Sequence, residues 1–371
     1  MKKRYLLASV VASLLAGSAI AAPVKLTDVQ LNSVVAGTDF DVVNLISDQP
    51  GVAPTTDSDL VNAWGLASAP GGPLWVANNH TGTSTVYDPH NFSKLALTVS
   101  IPAPGGGTGA PTGTVFTSLN GTNFQVSQGG KTGHSIFLFD TEDGTVLGWS
   151  PAVNQTQAVI AVDQSGVGAV FKGMTLVPIQ HSQNLFATDF ANNRVDIFNG
   201  QFQQVGSFTD ASLPSGYSPF NVQTLNGMVY VAFAKHGEGH DEAHGHGLGY
   251  VDIYNTHGQF VRRLVAGGPL NAPWGMAIAP ANYGQFAGAL LVGNFGSGVI
   301  DAFNPTTGAY LGQLKDNGRP IVIQGLWALM PGADGELLFS AGPAGETHGL
   351  VGSIRPETAA ASWAFRSHAT H

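Results

Sequence analysis

The 371-residue sequence predicts an all-β fold closed into a ring, a six-bladed β-propeller with four-stranded blades. Three observations carry that prediction. A short Gly-centred phrase recurs about every 50 residues, the period of a propeller blade. About ten residues after most copies comes an apolar segment, a Gly/Asn-rich turn, and an alternating segment that often closes on Asp or Asn, the pattern of hairpin-linked strands. The composition agrees, with 49 Gly, 21 Pro, 43% hydrophobic and only 11% charged residues, the balance of a β-rich chain with many tight turns.

The first, inner strand of each blade is read from the recurring phrase. The copies are Asn62-Ala63-Trp64-Gly65-Leu66, Pro111-Thr112-Gly113-Thr114-Val115, Phe171-Lys172-Gly173-Met174-Thr175, a weaker Pro219-Phe220-Asn221-Val222, Pro273-Trp274-Gly275-Met276-Ala277 and Gln324-Gly325-Leu326-Trp327-Ala328. Glycine belongs there because inner strands crowd around the central axis, and Gly65, Gly113, Gly173, Gly275 and Gly325 are assigned that place. Second strands follow at 74–77, 123–126, 185–188, 229–232, 290–293 and 337–340. Third strands follow at 84–88, 136–140, 194–199, 250–255 and 299–304, with 350–354 in the last blade. Thr141-Glu142-Asp143-Gly144 and Thr256-His257-Gly258 read as turns from a third strand into a fourth. The segment 41–47 alternates and precedes the first repeat. It is assigned as the strand that completes the last blade and removes the ring's exposed edge. Trp64, Trp274, Trp327, Phe137 and Phe303 read as core between the sheets.

The layout is therefore a signal peptide at 1–21, an N-terminal extension at 22–40, one propeller at 41–356 and a tail at 357–371. Lys2-Lys3-Arg4, the apolar run 6–15 and Ala19-Ile20-Ala21 form the basic, hydrophobic and cleavage regions of an export signal. The expected location is the periplasm or the outside of the cell. Cleavage takes the formal charge from −9 to about −12, which argues against nucleic acid and against an anionic membrane surface. No later stretch is long enough to span a bilayer. Without cysteine, disulfides, thiolate nucleophiles and Cys-ligated zinc are excluded.

Two places hold residues with chemistry to offer. The loops joining second to third strands open on the face that surrounds the mouth of the central channel. There Asn78, Asp189 and Asn294, with Asn62 and Asn221 near the inner strands, offer oxygens that suit an axial Ca²⁺. The alternative use of the same residues is to cap turns by side-chain bonds to the backbone. The second place is the fourth blade's loop His236-Gly237-Glu238-Gly239-His240-Asp241-Glu242-Ala243-His244-Gly245-His246. Its four His and three carboxylates, His236, Glu238, His240, Asp241, Glu242, His244 and His246, suit Zn²⁺, Ni²⁺ or Cu²⁺. The competing reading is a solvated insertion without a metal role. The run 105–109 lacks the lysine and helix of a phosphate loop and is read as a linker between blades. No nucleophile–base pair stands out among 12 scattered His.

The segments 44–48, 59–66 and 74–79, with 272–277 and 291–296, resemble a family of exported bacterial repeat proteins of uncharacterised activity, some with a PEP-CTERM sorting tail. More distantly the blades resemble NHL-repeat propellers. The resemblance implies a propeller and export. It brings no activity, and the segment 362–368 lacks the Pro-Glu-Pro motif, apolar span and basic stop of the tailed members. The leading functional expectation is a monomeric, non-enzymatic binding or scaffold module that takes a protein or carbohydrate ligand on the loop-bearing face and binds metal through the His-rich loop. The alternative is a metal-dependent, lactonase-like hydrolase with the ion on the axis.

Overall fold

The computed structural model describes residues 39–180 and 182–357, and the expected signal peptide and most of the tail lie outside them. Six four-stranded antiparallel arrangements follow one another around a central axis, with only two three-residue 3₁₀ turns, Ser165–Val167 and Gly284–Phe286, among the described residues. From the axis outward, blade 1 is Ala63–Ser68, Leu74–Asn78, Thr83–Tyr87 and Lys94–Ser100. Blade 2 is Pro111–Phe116, Phe137–Thr141, Thr145–Trp149 and Val159–Asp163. Blade 3 is Phe171–Ile179, Ser182–Asp189, Arg194–Phe198 and Gln204–Phe208. Blade 4 is Tyr217–Leu225, Met228–Lys235, Tyr250–Tyr254 and Phe260–Ala266. Blade 5 is Pro273–Ile278, Leu290–Asn294, Ile300–Phe303 and Tyr310–Gln313.

Blade 6 takes Leu326–Pro331, Leu337–Ala341 and Leu350–Pro356 from the C-terminal side and its outer strand, Phe40–Ser47, from the N-terminal side. That outer strand pairs antiparallel with 350–356, as the alternation at 41–47 predicts. Phe40 is fully buried against Tyr283 and Phe286 of the neighbouring blade, at 5.1 and 6.2 Å between ring centres. Separate apolar clusters fill the spaces between successive blades, and the alternation of each strand places large side chains in them.

Two details of the threading depart from the sequence reading. In blade 2 the segment 123–126 is not the second strand. It belongs to a separate hairpin, Gln125–Gln128 with Lys131–His134, inserted after the inner strand and anchored by the fully buried Phe124. The second strand is Phe137–Thr141, so Glu142-Asp143-Gly144 links second to third strand, on the face that carries the mouth of the channel. Alternation alone cannot tell an inserted hairpin from a blade strand, because both have period two.

In blade 6 the crowded axial position belongs to Ala328 and not to Gly325. Leu329 pairs with Phe339 as Leu66 pairs with Val76, which makes Ala328 the counterpart of Gly65. Gly325 stands instead where Asn62 stands in blade 1, and both take positive φ, 69° and 50°. The axial glycines are needed for close approach. A Cβ on Gly65 would lie 2.5 Å from the Thr112 carbonyl of blade 2, and one on Gly275 would lie 2.5 Å from the Trp327 carbonyl of blade 6.

Candidate functional site

The residue just before each axial glycine, or its counterpart, forms a ring at the upper end of the axis: Trp64, Thr112, Lys172, Phe220, Trp274 and Trp327. The aromatic members pack together. Trp64 stacks on Trp327 at 3.5 Å, Phe295 stacks on the other side at 3.9 Å, and Trp274 meets both tryptophans edge-on near 6 Å. They close the axis and leave a pocket above and a channel below.

Every blade contributes to the upper pocket, a cavity of about 440 Å³. Blade 1 gives Trp64 and His80, blade 2 Glu142, blade 3 Lys172, blade 4 Asp241, Glu242 and His244, blade 5 Phe295, and blade 6 Trp327 and Glu346. At its floor Lys172, with a side chain only 2% exposed, donates to Glu142 at 2.5 Å, and its ammonium lies 5.4 Å from the centre of the Trp64 ring. Glu142 is held in turn by a relay. Trp327 Nε1 donates to Asn62 Oδ1, Asn62 Nδ2 donates to Asn79 Oδ1 at 3.4 Å, and Asn79 Nδ2 donates to Glu142 Oε2 at 2.9 Å. One chain of polar contacts therefore joins blades 6, 1, 2 and 3. The buried Trp64 Nε1 has no hydrogen-bond partner among the described residues.

The electrostatics follow from one buried cation among four carboxylates. Burial alone would pull the Lys172 ammonium down, but Glu142 and Glu242 outweigh it and hold the group above the usual lysine range. Glu346 responds in the opposite sense. Burial first, then repulsion from Glu242 and Glu142, pushes its carboxyl up to about 7 despite Lys172. It sits in the blade 6 loop between second and third strands with φ +66°, a backbone conformation that costs a non-glycine residue about 1 kcal/mol or more. His244 is raised by its hydrogen bond to Glu242 at 3.2 Å, while burial lowers His236, which stacks on Phe190 at 4.3 Å and bonds Ser218.

Of the seven His-loop candidates, Asp241, Glu242 and His244 line this pocket. His236 packs beneath the loop, and Glu238, His240 and His246 are exposed. None of the five axial candidates lines it, and each is engaged within the blades. Asn62 accepts from Trp327, and Asn221 Nδ2 donates to the Trp274 carbonyl at 2.7 Å. Asn78 Nδ2 donates to Thr83 and Thr85. Asp189 accepts from Val170 and Asn192 and pairs with Arg194 at 3.2 Å. Asn294 accepts from the Asn271 N–H and donates to Asp301. Among the described residues no group of three or more His, Asp or Glu side chains is gathered as a metal site. No helix among them is long and apolar enough to cross a membrane.

Sequence reasoning missed Glu142, Lys172, Phe295 and Glu346. Lys172 left a signal: it is the one charged residue at a position that is Trp, Thr or Phe in the other five copies. Glu142 was hidden by the inserted hairpin, and Glu346 has no counterpart at a fixed offset in other blades.

No protein-family model matches the chain. Among solved structures it is similar to the soluble aldose sugar dehydrogenase of Escherichia coli, with a TM-score of 0.54 at 14% identity, covering 86% of this chain and all of that one. At that identity the likeness is one of propeller fold alone. Among curated proteins it is 32% identical over 332 residues to an uncharacterised protein of Acanthamoeba polyphaga mimivirus, covering 86% of this chain and 81% of that protein. A second uncharacterised protein of the same virus is 33% identical over 326 residues, covering 84% of each. With identity of that level along most of both lengths, the chain belongs to the family of these uncharacterised proteins.

Proposed function

We propose that the protein is an exported propeller that works by binding, and that its ligand is a small hydroxylated molecule carrying a positive charge, of which an amino sugar is the simplest kind. The observation that carries this reading is the convergence of Glu142, Lys172, Glu242 and Glu346, from four different blades, on one axial pocket. Lys172 is already paired with Glu142 and lies over Trp64, and His244 bonds one oxygen of Glu242, so Asp241, Glu346 and the second oxygen of Glu242 remain for a ligand. Carboxylates accept from ammonium and hydroxyl groups, and the half-buried Phe295 ring offers the apolar surface on which a sugar face packs. Chitosan oligosaccharides titrated by calorimetry should bind, and neutral cello-oligosaccharides and polygalacturonate fragments should bind at least tenfold more weakly. The double substitution Glu242→Gln with Glu346→Gln should remove the preference while His240→Ala leaves it. Equal binding of neutral and cationic oligosaccharides would overturn the reading.

One observation favours a hydrolytic alternative. Glu346 keeps its proton to about pH 7 within electrostatic reach of Glu242 and Glu142, so a proton donor lies near acceptors in one pocket. In that reading Glu346 protonates a leaving oxygen and a neighbouring carboxylate activates water. Turnover of gluconolactone and of aryl glycosides, with and without added Ca²⁺ or Zn²⁺, tests it, and a rate that Glu346→Gln leaves unchanged would dismiss it.

A further inference from the structure

The lower half of the axis is built differently from the upper. The residue after each axial glycine, or its blade 6 counterpart, occupies one register position: Leu66, Thr114, Met174, Met276 and Leu329 pair with Val76, Phe139, Ala187, Val292 and Phe339 of their second strands. These five form a ring in the wall of a second cavity, of about 470 Å³, that is closed above by Trp274 and Asn221 and continues past Met330, Pro178 and Leu225. Four of the five are large and apolar. The fifth, Thr114, is 6% exposed, and its hydroxyl has no hydrogen-bond partner among the described residues. Ser68, Thr175, Asn221, Gln223 and Thr224 also line the wall, but Ser68, Thr175, Asn221 and Thr224 are hydrogen-bonded within the protein. A buried hydroxyl left without a partner costs about 1–3 kcal/mol, so Thr114, the polar member of the ring, marks where a ligand's polar atom belongs.

We infer that this channel binds a small, mainly apolar molecule bearing a single hydroxyl or carbonyl, with its polar end on Thr114 and its body against Leu66, Met174, Met276 and Leu329. The volume lies in the range of small-molecule sites, and a mainly apolar wall with a few placed polar groups is how such sites fix orientation. Methionine suits the task, since its unbranched, polarisable side chain adapts to apolar shapes. Among the described residues no charged side chain lines the channel, which separates its chemistry from that of the acidic pocket above.

The test uses the mature protein with N-phenyl-1-naphthylamine as a fluorescent probe and 1-decanol as competitor. One saturable site per chain, displaced by 1-decanol, is expected. Leu66→Trp in the wall and Met330→Trp at the mouth should each abolish it, with folding checked by circular dichroism, whereas Glu346→Gln in the upper pocket should leave it unchanged. Thr114→Val should weaken 1-decanol about fivefold while the probe still binds. In the unaltered protein, 10-bromo-1-decanol should quench tryptophan fluorescence over the same concentration range, because Trp274 lines the cavity. Absence of a saturable site, binding that survives both filling substitutions, or no quenching would overturn the proposal.

Discussion

At the scale of single residues, Lys172 and Glu142 show which of two opposed effects prevails. Removing an ammonium from water costs several kcal/mol, and a single contact in water would return little of it. Here the contact is short, the Trp64 face adds to it, and three further carboxylates lie within reach, so the charge is kept. The two partners differ in exposure, 2% for the Lys172 side chain and 27% for that of Glu142. A Glu142→Gln protein leaves a buried cation without its anion, while Lys172→Met leaves an anion that water still reaches. Urea unfolding should therefore show Glu142→Gln as the more damaging change, by about 3 kcal/mol against about 1–2 for Lys172→Met. The reverse order would mean that Lys172 is solvated. Glu346 obeys a different sign. Its folded value, about 7, lies above its ordinary 4.5, so its contribution to stability is full below 4.5 and is lost as pH rises through 7. Glu346→Gln lacks that penalty. It should unfold at higher urea than the parent at pH 8, by up to about 3 kcal/mol, with the gap closing by pH 4.5.

At the scale of strands, the inner strand is one sequence used six times, and its glycine sets how near two blades can come. Gly65→Ala and Gly275→Ala each drive a Cβ to within 2.5 Å of a neighbouring backbone carbonyl, which cannot rotate away as a side-chain end can. Each should cost about 2–3 kcal/mol in chemical unfolding, whereas Ala328→Gly, at the position where blade 6 already accommodates a methyl, should cost about 1. Equal effects at 65 and 328 would show that crowding at the axis is not what selects glycine. The same repeat explains what was legible beforehand. The period located five inner strands and the closing role of 41–47, since strand alternation and ring closure both leave marks at fixed spacing. It misplaced Gly325, because Gln324-Gly325-Leu326-Trp327 matches the other copies only after a three-residue shift that pairing, not composition, reveals. It also hid Glu142 behind the hairpin at 125–134. The site itself was the least legible part, because its members come from all six blades and its acidic ones share no spacing: convergence on an axis is a property of closure.

At the scale of the whole molecule, closure gathers acids into places where water is scarce, and this decides how the fold responds to pH. Asp140, at the end of a second strand, is pushed up to about 6 by burial, against bonds from Thr112 and the Gly113 N–H that favour its charge. Asp196 and Asp252 hold equivalent places in the third strands of blades 3 and 4, opposite Ala187 and Val231. Burial raises them to about 6 and about 7, although Arg194 and Arg263 oppose the shift. Asp301 holds the same place in blade 5 and is likewise raised by burial. Each of these carboxyls binds its proton more tightly in the folded chain than in the unfolded one, so each contributes stability below about pH 4 that is lost as pH rises, through 6 to 7 for Asp140, Asp196 and Asp252. Acids at the surface act the other way. Asp88 and Asp163 are lowered by bonds from neighbouring groups, and their contribution disappears only as the solution becomes more acid than about pH 4. Between these two sets lies a maximum on the acid side of neutrality, near pH 4 to 6, for a chain with formal charge −9. Self-repulsion among the ionised acids of such a chain adds to the decline above the maximum. Scanning calorimetry at constant ionic strength should give a Tm at pH 8 lower than at pH 5 by roughly 5 °C or more. Asp252→Asn should flatten that slope, because the amide cannot take up the charge that burial resists. A Tm that is constant or rises from pH 5 to pH 8 would mean that Arg194 and Arg263 hold these carboxyls ionised, and the protons assigned to the third strands would then have no place.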